Sequence, residues 1–298
     1  MKIGIVGQGY VGSAVKDVFK THYEIETYDI NKSLSSTKTV MELAKLVDLI
    51  FVCVPTPMNE DGSCSTFSVE KVITQIEKSS RKRCKIVAIK STIPPGTTER
   101  LNNECKTIQI VFNPEFLTEA NFINDFRNQN RVIIGGPRPA STKLRQVYSL
   151  AFPNVPIIKT GSTTAEMVKY MTNSFLATKV SFANEMFQIC NKLNIDYDKV
   201  VEYSTYDERL GKSHWAVPGP DGHMGFGGSC FPKDLNALIY LARNLGDIPI
   251  NTIGGAWDTN LDVRPEEDWK ELKGRAVMDE NQLQKIKALK RMELESND

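Results

Sequence analysis

The run Gly7-Gln8-Gly9-Tyr10-Val11-Gly12 constrains the fold of this chain more than any other feature of it. It follows a β-branched stretch at residues 3–7 and opens a helical pattern, and Asp29 closes the next apolar stretch twenty residues after Gly9. A strand that turns on glycines into a helix offers backbone N–H groups and a positive helix end to an anion, and a carboxylate at this spacing can bond ribose hydroxyls. Gly7, Gly9, Tyr10, Val11 and Gly12 are therefore the candidate pyrophosphate turn of a dinucleotide site, with Asp29 as its ribose ligand. Asp29 would repel a further phosphate, which favours NAD, although Lys32 nearby leaves NADP open.

Short β-branched runs at residues 3–7, 25–28, 49–54, 86–90, 108–112 and 132–135 alternate with helical stretches. That alternation predicts a doubly wound, Rossmann-type α/β domain over residues 1–160, with a parallel sheet and helices on both faces. Val54-Pro55-Thr56-Pro57 ends the third strand and Ser91-Thr92-Ile93-Pro94-Pro95-Gly96 the fourth. Open parallel sheets bind ligands outside the carboxyl ends of their strands, so Pro55, Thr56 and Thr92 join the cofactor candidates. After Gly161 the texture changes: Thr163-Thr164-Ala165-Glu166 has capping-box spacing, and neither Gly nor Pro interrupts the chain from there to Leu193. One long helix over residues 163–193 is expected, within a central helical domain at residues 161–262. Further helices are expected at residues 197–206 and from Pro232 to near Gly246, with a loop at Val217-Pro218-Gly219-Pro220-Asp221-Gly222. Residues 263–298 are a charged tail, read as a peripheral helix or a mobile end, with a weak amphipathic pattern at 282–294.

Of the 298 residues, 41% are hydrophobic, enough for one large or two smaller packed domains. The 37 Lys and Arg nearly cancel the 36 Asp and Glu, so no global field draws in nucleic acid or an anionic membrane, and a small ligand held by local groups fits better. No stretch has the uninterrupted apolar length of a membrane span, and the start of the chain lacks the pattern of a secretory signal. The six cysteines form no Cys-x-x-Cys pair and read as reduced thiols of a cytoplasmic protein. The three histidines lie far from any cysteine pair, so no metal site is expected.

Gly225-Phe226-Gly227-Gly228-Ser229-Cys230-Phe231-Pro232-Lys233-Asp234 sets one thiol between a glycine-rich approach and a helix start. The missing side chains leave room for a substrate, and the helix dipole with Lys233 favours a thiolate, so Cys230 reads as either a nucleophile or a packing thiol. Cys53, Cys84, Cys105 and Cys190 sit in apolar or helical settings and read as packing residues. Cys64 reads as an incidental exposed thiol of a polar loop.

The glycine turn, Lys90-Ser91-Thr92-Ile93-Pro94-Pro95-Gly96-Thr97-Thr98, Asn113-Pro114-Glu115-Phe116-Leu117-Thr118-Glu119, Lys169-x-x-x-Asn173 and the Cys230 decapeptide together resemble the UDP-glucose 6-dehydrogenase and GDP-mannose dehydrogenase family. The likeness runs in order from Met1 to about Asp262. It implies an NAD-dependent four-electron oxidation of a nucleotide sugar's primary alcohol to the acid, with UDP-glucose yielding UDP-glucuronate, through a thiohemiacetal and a thioester on Cys230. It implies further that Lys169 and Asn173 stabilise the oxyanion and that Glu119, Thr92 and Asp234 hold and activate water. By the same likeness Glu115, Phe116, Leu117, Arg209 and Gly227 contact substrate, with Arg209 resembling an arginine that reaches across a dimer contact.

Family members usually continue into a second α/β domain that binds the nucleotide, and the stretch after Asp262 is too short for one, so the chain resembles a short form. Three readings stay open. One is a sugar-nucleotide dehydrogenase, acting on UDP-glucose, GDP-mannose or UDP-N-acetylmannosamine. The second is a hydroxyacid dehydrogenase with no need of Cys230, and the third a non-catalytic NAD-binding partner of a longer homologue. A homodimer built on the long helix is expected, since a helix of that length carries more apolar surface than one small domain covers.

Overall fold

The structure, a computed structural model, describes residues 1–80, 85–246, 248–280 and 282–284. It divides into two units, Met1–Thr56 with Ser65–Lys169, and Pro57–Cys64 with Tyr170–Asp298.

In the first unit, seven strands form one sheet in the order β2-β1-β3-β4-β5-β6-β7. They are β1 (Lys2–Val6), β2 (Glu24–Tyr28), β3 (Leu49–Val52), β4 (Lys85–Ile89), β5 (Ile108–Phe112), β6 (Val132–Gly135) and β7 (Ile157–Thr160). The inner strands are apolar almost throughout because both faces are covered. Successive side chains of β3 therefore enter different cores. Ile50 and Val52 pack with Leu43 of α2 (Val40–Leu46), Ile73 of α3 (Phe67–Ser79) and Leu101 of α4 (Thr97–Glu104). Leu49 and Phe51 pack with Phe19 of α1 (Tyr10–Phe19), Phe126 of α5 (Phe122–Arg127) and Tyr148 of α6 (Ala140–Ala151).

The expected parallel sheet holds for β1 to β5, all paired in parallel. It fails at β6, which meets β5 antiparallel through Phe112 and Gly135 and carries β7 parallel to itself. Parallel pairing needs a crossover laid along the sheet. The six-residue α5 is too short for that and packs on α1 instead.

The long helix is present as α7, Ser162–Lys192, with 31 residues. Its expected capping box is not what Glu166 does. The Glu166 carboxylate is fully buried and accepts the N–H groups of Gly96 at 2.6 Å and Thr98 at 2.8 Å, so it caps α4 rather than its own helix.

The second unit contains the remainder of α7, α8 (Tyr197–Ser204), α9 (Phe231–Asn244) and α10 (Asn251–Val263). Gly254 and Gly255 lower the helical propensity of α10 and hide it from a sequence reading. Burial of Ala256 and Asn260 overrides that cost. Over residues 264–278 the charged stretch after Asp262 holds one short 3-10 helix, Asp268–Glu271, and is not a loose end: Arg264, Trp269 and Ala276 are buried there. Most of 282–294 lies outside the described residues, as does Cys84.

Candidate functional site

In the first unit, the candidate residues lie at the carboxyl ends of β1 to β5. Gly7 has φ +91°, and a methyl group there would stand 2.5 Å from the Cys53 carbonyl oxygen. One at Gly12 would overlap the Gly7 carbonyl oxygen, whereas Gly9 faces open space at the start of α1, where no side chain caps the helix. Packing thus demands glycine at 7 and 12, and the gap at 9 admits a ligand's close approach. Asp29, at the end of β2, accepts the Gln8 N–H at 2.6 Å and the Asn31 N–H at 2.8 Å, one on each oxygen. Each carboxylate oxygen has a second lone pair, so Asp29 is fixed beside the turn and can still accept hydroxyls. These residues fit a dinucleotide.

The ends of β3 and β4 are tied together by the Ser91 hydroxyl, which donates to the Val54 carbonyl at 2.6 Å. Thr56 and Thr92 beside them are buried and Pro55 is exposed. After β5, the Glu115 carboxylate turns inward to Lys90 at 3.0 Å, an ion contact without an aligned hydrogen bond. Lys90 also donates to Asn113 Oδ1 at 3.1 Å and to the Tyr148 hydroxyl at 3.2 Å. Burial alone would lower the Lys90 pKa, but the charge of Glu115 and then Tyr148 reverse this and raise it. Burial pushes the Cys53 thiol up to about 12, which makes it an inert packing residue. Lys169 on α7 donates to the Glu115 carbonyl oxygen, and its Nζ stands 5.3 Å from the centre of the Phe116 ring. Arg131 covers that ring at 4.3 Å. Leu117 and Glu119 follow on the same loop, both half-buried.

In the second unit, the candidate residues are built on α9. Cys230 is the residue before its first turn, half-buried, with Ser229 Oγ 3.8 Å from its sulfur. Asp234 is 1% exposed and doubly held, by Lys233 and by Asn173 Nδ2 at 2.6 Å. The Lys233 side chain is 11% exposed. Burial alone would depress its pKa, and the charges of Asp234, Cys64 and Cys230 raise it instead. Cys64 is therefore not the incidental exposed thiol that its loop suggests: it is half-buried and close enough to act on Lys233.

The structure thus groups Cys230, Lys233, Asp234 and Asn173 in one unit, and Glu115, Phe116 and Lys169 in the other. Lys169 and Asn173 stand one turn apart on α7. Arg209 is exposed and pairs with its neighbour Asp207. Gly227 is crowded by Arg264 and Asp268. Sequence reasoning gave no role to Lys90, although a lysine ending an otherwise apolar strand run was a signal. Among the described residues, no group of His, Cys, Asp or Glu forms a metal site and no helix is long and apolar enough to cross a membrane.

Residues 23–151 match the NAD binding domain of the UDP-glucose/GDP-mannose dehydrogenase family, and residues 163–261 match its central domain. A UDP-glucose 6-dehydrogenase of Haloferax volcanii is 30% identical over 310 residues, 89% of this chain and 70% of the relative. The chain belongs to the UDP-glucose/GDP-mannose dehydrogenase family. A UDP-glucose 6-dehydrogenase of Bacillus subtilis is 32% identical over 79% of the chain and 51% of its own length, so the chain spans about half of that curated relative. The solved UDP-glucose dehydrogenase of Pyrobaculum islandicum superimposes with a TM-score of 0.80 at 30% identity, covering 87% of this chain and 67% of that one. A Mycobacterium tuberculosis 3-hydroxyisobutyrate dehydrogenase superimposes with a TM-score of 0.72 at 15% identity, a likeness of fold alone. The glycine turn precedes the matched span of the family's NAD binding domain, so its reading rests on the geometry above.

Proposed function

We propose that this chain oxidises the primary alcohol of a nucleotide sugar to the carboxylate with NAD as acceptor, UDP-glucose to UDP-glucuronate being the foremost case. The observation that carries the reading is the start of α9, where a half-buried Cys230 is followed within one turn by an ion pair between Lys233 and the buried Asp234, itself bonded to Asn173. A cysteine that only fills space needs no ionised residues around it.

When bound, NAD supplies the hydride acceptor for both oxidations. The residues to hold it are Gly7, Gly9, Tyr10, Val11, Gly12, Asp29, Pro55, Thr56 and Thr92. Loss of a hydride and a proton turns the alcohol into an aldehyde. The Cys230 sulfur then adds to the carbonyl carbon while the oxygen takes a proton, giving a thiohemiacetal. A second hydride and that proton leave, and the thioester that remains is cleaved by water to the acid and the free thiol. Lys169 and Asn173 supply N–H donors for the oxygen on which negative charge gathers. Glu119, Thr92 and Asp234 hold and activate the water, and Glu115, Phe116, Leu117, Arg209 and Gly227 contact the substrate.

The protein acts as a cytoplasmic homodimer in this reading. Along α7, Met171, Phe175, Phe182 and Ile189 are 70%, 66%, 50% and 50% exposed, and Leu193 just past its end is 63% exposed, an apolar stripe of the kind a second copy covers.

The test is the NADH yield with a panel of nucleotide sugars. Two NADH per sugar, abolished with acid formation by Cys230→Ser while NAD still binds, is the expected result. A single oxidation that survives Cys230→Ser would mark a hydroxyacid-type dehydrogenase, and tight NAD binding without turnover a non-catalytic partner.

A further inference from the structure

In the second unit, the backbone of Gly225-Phe226-Gly227-Gly228-Ser229 forms neither strand nor helix, yet it is held from outside at successive residues. Asn184 Oδ1 accepts the Gly225 N–H at 3.1 Å. Asn260 takes Phe226 from both sides, accepting its N–H at 2.7 Å and donating to its carbonyl at 3.1 Å. Asp268 Oδ2 accepts the Gly228 N–H at 2.9 Å. The other oxygen of Asp268 accepts Arg264 Nε at 2.9 Å, and Arg264 reaches on to Asp221 at 2.7 Å and to the Met224 carbonyl at 3.2 Å. The Arg264 side chain is 4% exposed, and a side chain at Gly227 would overlap both Arg264 and Asp268.

The stretch that supplies these two residues is itself anchored. Trp269 lies against Trp257 with ring centres 5.3 Å apart, and Trp257 lies 6.3 Å from Phe226. Farther along, Met58 donates its N–H to the Ala276 carbonyl at 2.8 Å, and Met278 returns one to the Met58 carbonyl at 3.2 Å. Residues 264–278 thus form a strap fastened at both ends, and the loop it grips leads directly to Cys230.

We propose that Arg264 and Asp268 are positioning residues for the Cys230 thiol, and that the strap they belong to fixes the glycine-rich loop so that the sulfur is presented in one orientation. The inference rests on the reading of Cys230 as the nucleophile. Glycine loses more conformational freedom on ordering than any other residue, so a loop with three glycines keeps one shape only when it is held. A reacting atom misplaced by about 1 Å costs on the order of 100-fold in rate. Direct bonds to the loop backbone are the economical way to prevent that.

The experiment compares the full chain with Asp268→Ala, which removes the acceptor of Gly228 and the partner of Arg264, and with Asp268→Asn, which keeps one acceptor oxygen. Alkylation by iodoacetamide is followed at each cysteine by peptide mapping, and turnover is measured alongside. In Asp268→Ala, Cys230 should react at least about threefold faster as the half-buried sulfur loosens, while kcat falls about tenfold and KM for NAD is unchanged. Asp268→Asn should lie between. Cys53, half-buried with its thiol held protonated, should stay unreactive throughout, which reports that the protein remains folded. Cys230 alkylation at the wild-type rate in Asp268→Ala, or a rise shared by Cys53, would overturn the proposal, as would kcat retained in the loosened variant. The alkylation arm needs no turnover: a wild-type chain that makes no NADH from any nucleotide sugar sinks the functional reading and leaves alkylation to decide the strap.

Discussion

Replacing Lys90 by Met tests whether the interior of the first unit depends on an ionised pair. The Lys90 and Glu115 side chains are 1% and 9% exposed and meet at 3.0 Å, with Asn113 and Tyr148 completing the lysine's contacts. The Lys90 pKa lies above its ordinary value in spite of burial, so the lysine stays charged and supplies the counter-charge to a carboxylate whose other oxygen accepts the Phe116 N–H at 3.0 Å. Methionine keeps the chain length and the apolar stem but leaves the carboxylate buried without its counter-charge. Breaking a buried pair in this way costs about 3–5 kcal/mol. For a unit of this size that is a fall in Tm of roughly 6–20 °C. The double variant Lys90→Met/Glu115→Gln should recover most of the loss, since removing both charges spares their desolvation. Thermal and urea unfolding followed by circular dichroism give both numbers. A single variant that loses less than about 1 kcal/mol, or a double variant no more stable than the single, would refute the reasoning.

Three further outcomes are expected. Burial holds the Cys53 thiol protonated up to about 12 in the folded state against the ordinary 9.0 of a thiol in water, so above pH 9 the unfolded chain binds fewer protons and stability falls. Between pH 8 and 10 this one thiol accounts for about 1.4 kcal/mol of that fall, and urea titrations of Cys53→Ala should lack it. Phe175→Glu/Ile189→Glu places two charges on the apolar stripe of α7 and should yield monomers at micromolar concentration. Sedimentation velocity in which wild type and variant sediment alike would count against the dimer. Asp29→Ala should weaken NAD about tenfold or more and narrow the preference over NADP, because a charged acceptor of the ribose hydroxyls is lost. Calorimetric titration showing equal affinity of the wild type for both cofactors would remove the basis for assigning Asp29 that role.

What could be read in the sequence was what recurs at short range. The alternation of apolar runs yields β1 to β6, and the Gly7 to Gly12 turn is explained by close approaches that the spacing already implies. The antiparallel entry of β6 was invisible because it depends on where α5 packs, not on any property of residues 132–135. Glu166 is a case of the same kind: its spacing suited a capping box, but the donors that it satisfies belong to α4, some seventy residues earlier. Local pattern identifies a group that caps, and only tertiary structure decides what it caps. Lys90, Asn113, Glu115 and Tyr148 lie on three different segments, so their cluster exists only once the sheet is formed.

The strap after Asp262 carries the same lesson to the thiol. A stretch with about half its residues charged reads as solvated surface, because ionised side chains are seldom buried. Arg264 departs from that expectation since each of its nitrogens has a specific acceptor, two of them carboxylates, and a guanidinium paired in this way loses less by leaving water than an isolated one. What the charges accomplish there is conformational: they hold a backbone whose own residues, three of them glycine, specify almost nothing. The residue types that, in the proposed function, would give a substrate access to Cys230 are therefore the ones that cannot position it. On the proposed reading of Cys230 as nucleophile, a glycine-rich approach must take its rigidity from elsewhere in sequence, and the source is the charged segment that looked least like part of a site.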